Sequence, residues 1–145
     1  MNTIYRICLL VVIIFFNACS KGDTTNTNAV NGTCTLTTNY IVGKWQIEKI
    51  ELKQNGVYVD FTSQMEPCQK DDYFLFSSNG TYTRIDAGLA CTFQNVENGT
   101  WSLINGQVYS NGIYQTVTIL NCNKSIREFT GKNGEQYRYT MNRLP

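Results

Sequence analysis

The sequence predicts an all-β domain, a small up-and-down antiparallel barrel of about eight strands. Three observations predict it. Asn-Gly pairs recur at 31–32, 55–56, 79–80, 98–99, 105–106, 111–112 and 133–134. Such pairs adopt the positive φ angles of tight hairpin turns at low cost, so the six later ones read as turns between or beside short strands. The segments between them alternate. Tyr137, Tyr139 and Met141 oppose Arg138, Thr140 and Asn142, while Ile113, Gln115, Val117 and Ile119 oppose Tyr114, Thr116, Thr118 and Leu120. That period of two belongs to half-buried strands. No stretch sustains a helical period. Consecutive antiparallel strands leave two open edges unless the sheet closes on itself, and closure removes that aggregation hazard.

The first segment is an address. Arg6 supplies positive charge ahead of the apolar run 7–16. Ten helical residues reach only ~15 Å, about half a bilayer core, so residues 1–18 read as a signal peptide and not a membrane span. The run ends in Phe16-Asn17-Ala18-Cys19-Ser20. A small residue before a cysteine at this place resembles the lipobox of bacterial lipoproteins, which implies cleavage before Cys19 and acylation of Cys19. Several acyl chains at ~0.8 kcal/mol per buried CH₂ anchor a protein to the membrane for good.

Residues 19–39 are Thr-, Asn- and Gly-rich, with little apolar surface to repay ordering, and read as a flexible tether. Within them Lys21-Gly22-Asp23 resembles the charged signals that send some lipoproteins to the cell surface, and Asp23-Thr24-Thr25 resembles an O-glycosylation site. A solvated linker explains both equally well. The Asn-x-Ser/Thr matches at Asn31, Asn79 and Asn98 read as Asn-Gly turns entering a strand; a further match is at Asn123.

Residues 40–145 read as the folded domain, with strands predicted at 43–53, 57–62, 72–77, 81–86, 98–104, 107–110, 113–120, 125–130 and 135–143, one of them outside the sheet. The hairpin 72–84 is its clearest unit. Two runs of aromatic and β-branched residues flank Asn79-Gly80, with Cys68 and Cys91 a few residues beyond the arms.

Composition excludes several functions. Without the leader, eleven basic side chains face eleven acidic ones and no basic stripe remains, which argues against nucleic acid as a partner. The chain has no histidine, which removes Ser-His-Asp and Cys-His catalysis and most catalytic zinc sites. No Gly-x-x-x-x-Gly-Lys-Ser/Thr loop is present to cradle phosphate. Paired-carboxylate hydrolysis needs two acids facing across a cleft, and adjacent Asp71 and Asp72 point to opposite faces of a strand. The expectation is a protein without catalytic residues, cofactor or metal.

Val42-Gly43-Lys44-Trp45, Cys68-Gln69-Lys70-Asp71-Asp72-Tyr73-Phe74-Leu75-Phe76, Asn79-Gly80-Thr81-Tyr82, Cys91 and Gly99-Thr100-Trp101-Ser102-Leu103 follow one another in order. This set resembles the lipocalin-like lipoproteins of Gram-negative bacteria, over roughly residues 40–143. The resemblance implies a calycin-type barrel in which Trp45 closes one end while Gly43 lets backbone pass close by. It also implies an outer-membrane lipoprotein facing the periplasm or the cell surface. The domain is shorter than familiar ligand-carrying lipocalins and has no segment for their C-terminal helix.

Cys34, Cys68, Cys91 and Cys122 allow three disulfide connectivities in an oxidising compartment. The resemblance has a Cys68–Cys91 pair, which the intervening hairpin would also bring together, and Cys34–Cys122 is then what remains. No Cys-x₂-Cys knuckle suggests metal instead.

Barrel interiors are common ligand sites. Tyr58, Phe74, Phe76, Tyr82, Trp101, Tyr137 and Tyr139 are the candidate lining, with Arg84 placed to meet an acidic head group. The leading expectation is a monomeric, lipid-anchored binding module for a small apolar or amphiphilic molecule. The alternative is a non-catalytic envelope interaction protein, its barrel filled by these rings, docking on a protein or glycan. A pocket lined by inward aromatics favours the first; a filled interior with an exposed aromatic patch favours the second.

Overall fold

The computed structural model describes residues 34–91 and 97–145. The predicted leader, Cys19, the segment 21–25 and the Asn31-Gly32 pair lie outside the described residues.

Among the described residues nine strands form one antiparallel sheet: β1 (Gly43–Gln54), β2 (Val57–Asp60), β3 (Tyr73–Phe76), β4 (Thr81–Ile85), β5 (Asn98–Ile104), β6 (Gln107–Ser110), β7 (Ile113–Asn121), β8 (Lys124–Thr130) and β9 (Gln136–Leu144). Strand β9 pairs back onto β1 from Lys44↔Leu144 to Leu52↔Tyr137, which closes an eight-stranded barrel from β1 and β3–β9. The sequence places one strand outside the sheet. Instead β2 stays within the sheet and lies outside only the closed ring. The reason is the length of β1. Its first residues, Gly43 to Gln46, bond β3, whereas its last, Glu51 to Gln54, bond β2 in a hairpin.

Asn55-Gly56, Asn105-Gly106 and Asn111-Gly112 have positive φ at both residues, as their tight hairpins require. Asn98-Gly99 does not make a turn. It opens β5, where Gly99 pairs with Tyr82. A Cβ at Gly99 would lie 2.8 Å from the Tyr82 ring, so close packing and not turn geometry demands this glycine.

One end of the barrel is plugged. The expectation of no helix misses a single turn, α1 (Thr38–Ile41), capped by Thr37, whose Oγ1 accepts from the backbone N–H of Tyr40. Local pattern cannot show so short a helix, because its partners come from far along the chain. The Tyr40 hydroxyl lies 3.1 Å and 3.2 Å from the carbonyl oxygens of Asn121 and Lys124. Trp45 is fully buried beneath α1 and donates its indole N–H to the carbonyl of Ile41 at 2.8 Å. Ordered structure therefore starts before residue 40, and Leu36 packs against the core.

Gly43, at φ 132°, makes room for a side chain where the resemblance implies passing backbone. A Cβ there would lie 3.1 Å from Nη2 of Arg143. The Arg143 guanidinium sits 5.4 Å from the Trp45 ring centre and donates to the carbonyls of Val42 and Asn39.

Among the described residues two disulfides staple the loops. Cys34–Cys122 joins the segment before α1 to the β7–β8 turn, and Cys68–Cys91 links the segments before β3 and after β4.

Candidate functional site

The inward rings of β3, β4 and β5 pack on one another. Phe76 stacks on Tyr82 with ring centres 5.5 Å apart and meets Trp101 edge-on at 5.8 Å. They do not fill the barrel. A cavity of about 380 Å³ remains above the Trp45 plug. Its apolar wall comes from Ile47 and Ile50 of β1, Phe74 and Phe76 of β3, Phe129 of β8, and Tyr139 and Met141 of β9. Met65 and Gln69, from the two 3-10 turns between β2 and β3, also line it.

Of the predicted lining, Phe74, Phe76, Tyr82, Arg84 and Tyr139 reach the cavity. Tyr58, Trp101 and Tyr137 are not part of its lining. Tyr58 belongs to β2, outside the ring, where the Arg138 guanidinium covers its ring at 3.7 Å. Trp101 is buried against Phe76 and donates its indole N–H to the carbonyl of Ser77 at 3.0 Å. Tyr137 stacks on Phe129 at 5.5 Å and lies over Gly131.

The polar groups in the cavity are mostly engaged with one another. Asp72 accepts from Nε of Arg84 at 2.9 Å and from Nη2 at 2.7 Å, and from the backbone N–H of Ala87. Arg84 is therefore already neutralised. Neighbouring Asp71 is not part of the cavity lining and accepts from the backbone N–H of Leu89, in the same loop that donates to Asp72. On the other side, the Tyr82 hydroxyl donates to Glu97 at 2.7 Å and accepts from Asn111 at 2.5 Å. Burial and the adjacent Glu97 carboxylate push the Tyr82 phenol well above the ordinary tyrosine range. Burial also raises Tyr139.

Arg127 is the exception, and sequence reasoning missed it. Only 2 % of it is exposed, it lines the cavity, and its Nε and Nη2 have no hydrogen-bond partner. Its guanidinium carbon lies 5.3 Å from the Trp45 ring centre and 4.8 Å from that of Phe76. These aromatic faces offset part of the cost of burying the charge. Burial lowers its pKa to about 10, so it stays charged at neutral pH. The missed signal was period two. In Ser125-Ile126-Arg127-Glu128-Phe129, the arginine shares a face with Phe129, and it pairs with Val117 and with Tyr139, which was a candidate lining residue.

The geometry describes a closed antiparallel barrel with one end sealed by a buried tryptophan and an internal cavity. That is the architecture of a small-molecule-binding barrel. A model of the lipocalin-like domain family matches residues 41–142, and the chain belongs to that family. No curated protein matches the chain, and no solved structure matches it either.

Proposed function

We propose that this lipocalin-like barrel binds a small apolar or amphiphilic molecule in its interior, and that acyl chains on Cys19 hold it at the bacterial outer membrane. The cavity carries the reading. At about 380 Å³ it falls in the usual range of ligand sites, roughly 300–1,000 Å³, and its wall is apolar and aromatic with a few polar groups. The alternative, a filled barrel docking on a protein or glycan, has less support because the inward rings leave this space open. The lipobox-like sequence ending at Cys19 supports the anchor and the envelope location.

Native mass spectrometry of the protein purified without its leader tests the binding. The expected result is a discrete small-molecule adduct that organic extraction removes. A bare mass, together with no uptake of a fluorescent hydrophobic probe, would favour the docking alternative.

A further inference from the structure

We propose that the ligand is a long-chain amphiphile whose alkyl chain outgrows the cavity and continues along the inner face of the β1–β2 hairpin above the mouth. The inference rests on the binding role proposed above and adds the length of the chain and the place of its outer part.

The two faces of that hairpin are unlike. On the outer face Lys49 reaches Glu51 at 2.8 Å and Asp60 at 3.8 Å. Tyr58 shares this face, with Lys53 at 5.7 Å and the Arg138 guanidinium at 3.7 Å from its ring centre. These side chains are occupied with one another. On the inner face Leu52 pairs with Val59 and Gln54 with Val57, and directly paired residues point to the same side. Val57 is 66 % exposed and Val59 40 %. Valines left in water bring the fold no burial, and only something laid over them gains from their presence.

The inner face continues the cavity. The Trp45 plug lies near the start of β1, so the hairpin at its far end stands at the mouth. Ile50 lines the cavity and Leu52 is the next residue on that side of the strand. Across β9 they pair with Tyr139, also in the wall, and with Tyr137, which stacks on the wall residue Phe129. A chain leaving the barrel between Ile50 and Tyr139 therefore meets Leu52 and Tyr137, then Val59 and Val57. Along β1 the wall from Ile47 to Ile50 is ~10 Å deep, about the length of an octyl chain, and the face up to Gln54 adds ~13 Å. Inside, Asp72 is paired with Arg84 and Glu97 accepts from Tyr82, which suits a chain entering tail-first with its head group in water.

Displacement of a fluorescent hydrophobic probe by alkyl maltosides from octyl to hexadecyl, each below its micelle concentration, tests this. Wild-type affinity is expected to rise about fourfold per methylene buried in the cavity, and about twofold per methylene covered on one side only by the hairpin. Val57→Thr with Val59→Thr keeps the β-branched shape and removes the apolar surface. That variant should match the wild type on octyl maltoside and bind hexadecyl maltoside about tenfold more weakly. Equal affinity at every length, or an equal loss at every length, overturns the hairpin subsite and leaves binding in the cavity intact. If no maltoside binds, the binding role itself falls and this inference with it. A ligand-free dimer that the double variant abolishes in light scattering would give the face to a second copy. Flotation of the ligand-free wild type, but not the variant, with phosphatidylcholine vesicles would give it to a bilayer. Either result overturns the inference. Should the double variant fail to fold, Val57→Thr alone repeats the comparison.

Discussion

The indole N–H of Trp45 donates to the carbonyl of Ile41 at 2.8 Å, tying the first strand to the helical turn that seals the barrel. The ring is fully buried and flanked by Tyr40, Arg127 and Arg143. Trp45→Ala removes the plug and leaves a cavity, at an expected cost of roughly 3–5 kcal/mol. Tyr139→Ala, at the wall of existing space, should cost less. Denaturant melts of both variants check this, and a Trp45→Ala protein as stable as the wild type would show that the plug is not structural.

The two disulfides should differ in worth. Loop-closure entropy gives about 3.4 kcal/mol for Cys68–Cys91, at a sequence separation of 23, and about 4.6 kcal/mol for Cys34–Cys122, at a separation of 88. Double serine variants of each pair, compared by urea midpoint, should rank in that order. Loss of Cys34–Cys122 should also expose Trp45 to fluorescence quenchers, because the segment leading into α1 loses its tie. The reverse ranking would mean that native contacts, and not chain entropy, dominate.

Stability should fall in alkali. Burial raises the pKa of Tyr40, Tyr82 and Tyr139 above the ordinary value of 10.0. The folded state then keeps protons that the unfolded chain has released, so this stabilisation is whole below pH ~10 and is lost as pH rises beyond it. Arg127 acts in the opposite sense, since its folded value near 10 lies below the usual 12.5 and its penalty eases above that pH. Tyr82→Phe isolates the tyrosine contribution. Its denaturation midpoint should decline less steeply with pH than that of the wild type, and parallel curves would rule Tyr82 out.

Cys19 is expected to carry acyl chains. Metabolic labelling with a palmitate analogue should tag the wild type strongly and Cys19→Ala not at all. Equal labelling of the two proteins would remove the anchor from the proposal.

Strand order, hairpins and inward alternation were legible because they depend on neighbours two to four residues apart. Asn105-Gly106 turns because both residues tolerate positive φ, and Tyr139 and Met141 face inward because strand side chains alternate. Tertiary structure decided the rest. Whether Tyr58 lines the barrel depends on where β1 exchanges β3 for β2, and whether Gly99 turns the chain depends on its pairing with Tyr82 across β4 and β5. Arg84 and Arg127 look alike in sequence, and both face inward on a strand. Only the register that brings Asp72 to Arg84, and no carboxylate to Arg127, neutralises one charge and leaves the other buried without an ion pair. Electrostatic partnership is a property of distance in space, which a linear pattern does not contain.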